Sequence, residues 1–258
     1  MATFRGVGTA FAYNAGSTFA ITLPTYSIGD ILIVAIETDT GNTISIANWT
    51  EAPNSPVDNS TELYTSKLHI YWRRATGDAN DVCAPNLTNA NHGIGQSMAF
   101  YDCITSGVPF DVTRNDGTGS FSSGNYSISS ITTTKASEMI IAFVADGYDQ
   151  TNQPGFTIVN ANLTSPTVMF SVGGSIQNGG GVGGGYGIKS VAGAIGTTTG
   201  IQPSGETTGG AHIKWIGALL NPVVGPSNLK SYNTNLKANI KTINTNPIAN
   251  VKSLNTNV

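Results

Sequence analysis

Charged residues are scarce in this chain. They make up 10% of its 258 residues, which leaves little material for the charged outer faces of helices. Glycine is common instead, with 31 residues, and Ser, Thr and Asn occur in almost every segment. This composition is typical of β-strands joined by many polar turns. The sequence therefore predicts an all-β protein.

Long apolar runs and a basic leader are also missing. No segment approaches the roughly 20 apolar residues that a membrane-spanning helix needs, and the first residues lack the basic stretch and apolar run of a secretion signal. We therefore expect no membrane partner and synthesis in a reducing cytoplasm. The two cysteines, Cys83 and Cys103, are not spaced like metal ligands. Free buried thiols are favoured over a disulfide between neighbouring strands.

Seven apolar runs are predicted to form strands, with turn residues between them. They span residues 19–23, 31–36, 68–72, 98–101, 139–145, 168–172 and 213–220. The run 31–36 is apolar throughout, as expected for a central strand covered on both faces. Leu68, Ile70 and Trp72 alternate with His69, which is expected to face solvent. The predicted architecture is a two-sheet antiparallel β-sandwich in jelly-roll or immunoglobulin-like order.

Two of these runs indicate a weak internal repeat. Gly29-Asp30 precedes the run 31–36, and Ser137-Glu138 precedes the run 139–145. An aromatic-Thr pair follows each run, Trp49-Thr50 in one case and Phe156-Thr157 in the other. No linker composition separates the halves, so we interpret the runs as paired central strands of one body, residues 1–225.

Residues 173–187 are rich in glycine and are predicted to form a surface loop, because few side chains are present to hold one shape. The run lacks the Lys-Ser/Thr ending of a phosphate-binding loop and the strand-to-helix context of a dinucleotide site. The sequence therefore predicts no cofactor. A receptor-binding tip that folds on contact is the alternative for this segment.

Catalytic signals are weak. His69, His92 and His212 are far apart in the sequence, and no Gly-x-Ser-x-Gly segment marks a nucleophile. We therefore expect no enzyme activity and no catalytic residue. A glycosidase that uses two of the loop carboxylates is the weaker alternative. Aspartates at loop ends are interpreted as turn formers and not as metal ligands.

Charge is distributed unevenly along the chain. The segment from Asn228 onward contains four lysines and no acid, whereas the residues before it contain eight basic and 15 acidic side chains. Because the body is acidic, we expect no nucleic-acid partner. The larger aromatics could form a sugar-binding surface or fill the core, and the sequence leaves both open. These aromatics are Trp49, Tyr64, Tyr71, Tyr148 and Tyr186.

The C-terminal segment repeats with a period of eleven. Units that begin at Asn228, Asn239 and Asn250 share the pattern Asn-apolar-Lys-Ser/Thr-apolar-Asn-Thr-Asn. A short repeat buries little apolar surface against itself, so its apolar residues need identical copies or a partner surface to form a core. We therefore predict that residues 226–258 are an assembly or attachment tail. Its candidate interface residues are Leu229, Tyr232, Leu236, Ile240, Ile243, Ile248, Val251 and Leu254.

The tail sequence is compatible with two packed conformations. The 3-4-4 spacing of its apolar residues suits a helix with a right-handed supercoil, which predicts a trimeric or similar stalk. Asn and Thr are poor helix formers, however, and Pro247 interrupts the second unit. These features favour short strands or extended segments packed on a partner. A disordered tail is the third alternative.

Five short segments of the body occur in an order known from other proteins. They are Gly-Asp-Ile-Leu-Ile-Val at 29–34, Asn-Trp-Thr at 48–50, Ile-Tyr-Trp-Arg-Arg-Ala-Thr-Gly at 70–77, Met-Ala-Phe-Tyr at 98–101 and Pro-Phe-Asp-Val at 109–112. This order resembles a β-sandwich module widespread in phage and bacterial surface proteins. The tail resembles the eleven-residue repeats that end many phage structural proteins, although it has Asn-Thr where those often have Asn-Gly.

The resemblance implies a phage virion component without catalytic residues, either a head-decorating protein or a tail or fibre component. It implies synthesis in a bacterial cytoplasm and residence in the phage particle. The expected partners are further copies of the chain and other phage structural proteins. A carbohydrate-binding adhesin at a tail tip is the alternative, with a host surface glycan as its ligand.

Overall fold

The computed structural model describes residues 1–14, 20–39, 43–59, 66–88, 92–120, 125–147, 156–174, 180–201 and 211–222. Contacts divide the chain into two units, Met1–Pro222 and Val223–Val258. The second unit lies outside the described residues, and so do all the candidate interface residues of the tail.

The described part of the chain forms antiparallel strands, so the prediction of an all-β protein is confirmed. In residues 1–108, which we call the first half, the strands are β1 (Thr3–Val7), β2 (Phe11–Asn14), β3 (Ile31–Thr38), β4 (Thr43–Ile46), β5 (Thr50–Glu51), β6 (Val57–Asn59), β7 (Ser66–Arg74), β8 (Pro85–Thr88) and β9 (His92–Tyr101). A short 3-10 helix spans Ala79–Asp81.

Residues 109–222 are the second half. Its strands are β10 (Phe110–Ser120), β11 (Asn125–Ile128), β12 (Thr132–Thr133), β13 (Glu138–Asp146), β14 (Thr164–Gly173), β15 (Gly181–Lys189), β16 (Gly193–Ala194), β17 (Thr198–Ile201) and β18 (Ala211–Leu219). Six of the seven predicted runs coincide with β3, β7, β9, β13, β14 and β18, and the last of them extends one residue beyond β18. Of the run 19–23, the described part contributes an isolated bridge from Ile21 to Cys83.

Each half builds one large sheet around a central strand. The first sheet has the order β1-β9-β3-β7-β5, with β2 paired to β9 and β6 paired to β7. The second has the order β10-β18-β13-β15-β14. The inner faces of the two sheets share one hydrophobic cluster, to which β3 contributes Ile31 and Ile33, and β13 and β18 contribute Ile141, Phe143 and Trp215. This shared core joins the two halves.

The outer faces of both large sheets are covered as well. In the first half, β4 and β8 pair and place Ile44 and Leu87 on the outer side chains of β3. In the second half, β11 pairs with β17, and Ile128 lies in one cluster with the outer side chains of β13. The central strands β3 and β13 are therefore buried along their whole length. This confirms what the apolar run 31–36 predicted.

The two halves repeat one topology, down to local irregularities. The first strand of each large sheet has a register shift after its aromatic residue, between Phe4 and Gly6 in β1 and between Phe110 and Val112 in β10. An Ala-Asn turn ends each covering segment, closed by Trp49 N donating to Ile46 O at 3.1 Å in one half. The turn in the other half has Leu163 N donating to Asn160 O at 3.3 Å.

This equivalence corrects two details of the internal repeat. The central strands β3 and β13 correspond to each other, but they lie in different sheets and are not hydrogen-bonded partners. The counterpart of Trp49-Thr50 is Leu163-Thr164, because these residues follow the equivalent turns. The match with Phe156-Thr157 was therefore wrong.

The glycine-rich run is not a surface loop where the structure describes it. Gly181 to Lys189 form β15, which pairs with β13 on one side and β14 on the other. A Cβ at Gly184 would overlap the ring of Phe170 and lie 2.9 Å from Phe143 Cδ1. The glycines are needed because neighbouring side chains occupy the space above the strand. Residues 175–179 lie outside the described residues.

Candidate functional site

The chemically active side chains of the body form buried clusters at the ends of the strands. Glu37 lies near the end of β3 and is fully buried, with its Oε2 3.0 Å from His92 Nε2. On the other side of the imidazole, His92 Nδ1 is 2.9 Å from Asp39 Oδ1. A Cβ at Gly180 would overlap Glu37 Oε2, so the chain closes tightly over this carboxylate.

The protonation of this cluster follows from its geometry. Burial alone would lower the pKa of His92, but the charge of Glu37 and the hydrogen bonds with Asp39 and Glu37 raise it to about 10. Burial raises the pKa of Glu37, and the charge of His92 partly offsets that shift. At neutral pH a protonated imidazole therefore lies between the carboxyl groups of Glu37 and Asp39. Both ring nitrogens are engaged, so this histidine is neither a general base nor a metal ligand.

His69 belongs to a second buried cluster, and the prediction that it faces solvent was wrong. Its Nδ1 lies 2.9 Å from Glu51 Oε1, because β5 pairs with β7 and covers that face. Ser55 Oγ donates to the same carboxylate oxygen at 3.0 Å and accepts from Ile70 N at 2.8 Å. The serine and the histidine thus share a carboxylate oxygen, and no hydrogen bond joins these two described residues to each other. A nucleophile and its base would need that contact.

The adjacent arginines Arg73 and Arg74 bind within the body. Arg73 Nε donates to Asp81 Oδ1 at 2.8 Å, and the same carboxylate accepts from Thr76 N at 3.0 Å. Burial would raise the pKa of Asp81, but its hydrogen bonds lower it. Arg74 donates to the carbonyls of Ile104 and Gly107. These guanidinium groups fix the turns around the end of β7.

The large aromatics that the structure describes fill cores. Trp49 is buried, and its Nε1 donates to Val82 O at 3.2 Å. Tyr71 is also buried and donates to Ile44 O at 2.7 Å, while Tyr186 packs on Phe4 with ring centroids 5.4 Å apart. Tyr64 and Tyr148 lie outside the described residues. The described members of the set therefore do not form a sugar-stacking surface.

Cys83 and Cys103 are free and buried, as predicted. They lie in different hydrophobic clusters, one under the covering layer of the first half and the other in the shared core. Burial raises the pKa of each thiol to about 12. Neither thiol is therefore poised to act as a nucleophile at neutral pH.

The three histidines stay apart in the fold. His212 lies against Tyr126, with ring centroids 6.3 Å apart, whereas His69 pairs with Glu51 and His92 with Glu37. Among the described residues, no group of three or more His, Cys, Asp or Glu side chains could hold a metal ion. Within the same part of the chain, no helix has the length and apolarity to cross a membrane.

The structure reveals polar partners that the sequence did not indicate. His92 and Glu37 are 55 residues apart in the chain, and only the pairing of β9 with β3 brings them together. An acid directly after an apolar strand was the available signal for Glu37. Nothing in the local sequence identified its partner.

A scan against protein-family models matches no family, and searches of the curated proteins and of the solved structures find no significant match.

Proposed function

We propose that the protein is a non-enzymatic structural component of a bacteriophage particle, either a head-decorating protein or a component of the tail or fibre. In this proposal the body, residues 1–225, is displayed on the particle. The tail, residues 226–258, joins copies into a homo-oligomer or attaches them to other phage structural proteins. The strand order of the body is the observation that supports this function best.

We interpret each half as a jelly roll. In the first half, the strands β1-β9-β3-β7 form one sheet. The second layer consists of β4 paired with β8, and of Ile21, which pairs with Cys83 just before β8. In the second half, the order β10-β18-β13-β15 stands over β11, β17 and Val159. Jelly rolls divide eight strands between two sheets and recur in viral capsid and lectin domains. Two such units packed through their larger sheets suit a capsid-associated part.

The shared core supports a mechanical role. Trp215 stacks on Phe143 with ring centroids 5.9 Å apart and meets the edge of Phe110 at 5.5 Å. Each well-buried side chain of this kind contributes about 1.5–3 kcal/mol to folding. Other contacts cross between the halves: Trp72 meets the edge of Phe110 with ring centroids 6.3 Å apart, and Trp215 Nε1 donates to Pro53 O at 3.0 Å. The two halves therefore stabilise each other. A body with one shared core suits a building part of a particle.

The tail is tested in the full-length protein through one position of the repeat. Replacing the apolar residue that follows the first Asn of each unit with Ser removes apolar contact from all three units at once. The variant combines Leu229→Ser, Ile240→Ser and Val251→Ser. We expect it to lose self-association in sedimentation velocity or to be lost from purified phage particles, as measured with an antibody against the body.

The matched control changes another equivalent position in each unit without removing a large apolar side chain. It combines Thr234→Ser, Thr245→Ser and Thr256→Ser. We expect this control to assemble like the wild type. The proposal is contradicted if the wild type and the Ser variant are both monomeric and the Ser variant still enters particles normally.

Deletion of residues 228–258 separates the structural function from the glycan-binding alternative. The structural function requires the tail, so attachment is expected to fail. A protein that binds host glycan and keeps its oligomeric state after the deletion would instead be an adhesin. Glycan arrays probed with the full-length protein and with the deletion variant provide the measurement.

A further inference from the structure

Glu138 is the first residue of β13 and is completely buried. Among the described residues, no donor group gives a hydrogen bond to either oxygen of its carboxyl group. Another carboxyl group, that of Asp111 in β10, lies within hydrogen-bonding reach. Two carboxylates at this separation cannot both be ionised at low cost.

In the first half, the position equivalent to Glu138 is occupied by Asp30, which has an ion-pair partner. Asp30 directly precedes the apolar run of β3, and Glu138 directly precedes that of β13. Asp30 accepts hydrogen bonds from Arg5 Nε at 2.7 Å and from Ser27 N at 2.9 Å. Arg5 follows Phe4 in β1, and Asp111 follows Phe110 in β10, at the same register shift. A guanidinium group in the first half is therefore replaced by a carboxyl group in the second. The position of Arg5 therefore has no positive charge at the equivalent place in the second half, the corner of the body formed by Asp111 in β10 and Glu138 in β13.

The other charged groups around Glu138 do not restore it. Lys135 lies before β13 and interacts with Glu138 electrostatically, but more weakly than Asp111 does. Lys189 is the residue opposite Glu138 in β15. Thr134 donates to Asp111 Oδ2 through its backbone N at 2.6 Å and to Oδ1 through its hydroxyl at 2.5 Å. Because Asp111 already accepts these bonds, Glu138 is the member that can donate.

We propose that Asp111 and Glu138 hold one proton between them in the folded protein, and that opening of this corner of the body releases that proton. The proposal goes beyond the function proposed above and does not depend on it. It assigns to the second half a shared carboxyl proton at the position where the first half has the Arg5–Asp30 ion pair.

The corner also anchors the end of β18. Leu219 pairs with Phe110 in β10 and with Met139 in β13. Leu220 N donates to Pro109 O at 2.8 Å, and Asn221 Nδ2 donates to Ser137 O at 2.8 Å. The proton site therefore lies beside the last described contacts before residue 223. Opening of the corner breaks these contacts at the end of β18.

The pH dependence has a definite sign. Burial first, and the Asp111 carboxyl second, raise the pKa of Glu138 from 4.5 to about 8. Between these values the closed corner holds a proton that the open corner releases, so rising pH favours opening. The open fraction rises by up to about tenfold per pH unit in this window and levels off above it.

Hydrogen exchange of the Leu220 amide in the full-length protein tests the proposal. We expect its protection factor to fall as the pH rises from about 5 to about 8. The amide of Ala75 is the control, because it donates to Asp30 O at 2.8 Å beside the Arg5–Asp30 ion pair. Its protection factor should stay constant. In Glu138→Gln the Leu220 profile should become flat, and Asp111→Arg, which copies the first half, should flatten it too.

Three results overturn the proposal. The first is a Leu220 profile that is unchanged in Glu138→Gln. The second is a Glu138 carboxyl that titrates in carbon-13 NMR of the wild type with an ordinary midpoint near 4.5, a measurement that remains decisive if a variant fails to fold. The third is protection of Leu220 by millimolar calcium chloride in the wild type and not in Glu138→Gln, since a metal ion would then occupy the place of the proton.

Discussion

The first and second halves reach one topology with different interiors. In the first half, β7 places Leu68 and Ile70 in the shared core. The equivalent strand of the second half, β15, has glycine at most of its positions, and the rings of Phe143 and Phe170 fill the space beside Gly184. Strand order is thus maintained while the core volume is distributed differently among neighbouring strands.

The halves also differ in how they neutralise buried acids. The first half pairs Asp30 with Arg5 and Glu37 with His92. The second half leaves Glu138 beside Asp111. An ion pair needs a specific partner at a specific place, whereas a protonated carboxyl group needs only an acceptor. The second arrangement makes stability depend on pH near neutrality.

The largest expected effect is that of His92→Ala in the first half. The substitution leaves Glu37 buried without its cation, which costs about 3–5 kcal/mol of unfolding free energy. Urea denaturation at neutral pH measures the loss. Lys67→Ala is the control from the same half, because Lys67 Nζ is 3.5 Å from an exposed Asp58 carboxylate, and we expect a change within about 0.5 kcal/mol.

The His92 effect should also vary with pH. The stabilising contribution is fully present below pH 6.5 and is lost as the pH rises through about 10, because the folded protein holds the proton more tightly. The difference between wild type and His92→Ala should therefore shrink at alkaline pH. A loss of less than about 1 kcal/mol at neutral pH would show that Glu37 is not held as an ionised group.

An intermediate effect is expected for Gly184→Ala in the second half. The added Cβ would overlap the Phe170 ring, and we expect a loss of about 1–3 kcal/mol from overpacking. Gly6→Ala in β1 is the matched control, since a Cβ there would meet nothing within 4 Å. Thermal denaturation measures the stability of Gly184→Ala and Gly6→Ala relative to the wild type. Equal stability of the two variants would mean that the glycines of β15 are not needed for packing.

The smallest effect is expected for Arg5→Met. It leaves the Asp30 carboxylate with the Ser27 amide, but the Arg5 side chain is 30% exposed, so water partly replaces it. We expect a loss of about 1 kcal/mol, and recovery of most of it in the double variant Arg5→Met with Asp30→Asn. The Arg5 guanidinium also lies over the Tyr101 ring, 4.6 Å from its centroid. No recovery in the double variant would mean that Arg5 acts through this contact and not through Asp30.

The central strands could be predicted because their residues are apolar on both faces. Such a strand is stable only where both faces of its sheet are covered. His69 could not be placed in the same way. Alternation in 68–72 correctly put Leu68 and Ile70 on one face, but it says nothing about what covers the other face. The pairing of β5 with β7 brought Glu51 there and buried the histidine.

The glycine run shows the same limit. A run without side chains has no pattern of its own, so the sequence favoured a loop. The rings that require the glycines come from β13 and β14, which are distant in sequence from Gly184 and close only in the sheet. The proton site has the same origin, because Asp111 and Glu138 meet through strand pairing.

The sequence by itself determined the all-β class, the central strands and the free thiols, because composition, apolar continuity and cysteine spacing act locally. Only the tertiary structure shows which strands of the two halves correspond, which buried acids pair with a cationic side chain and which positions require glycine. These outcomes depend on groups that are distant in the chain, and the sheets alone bring such groups into contact.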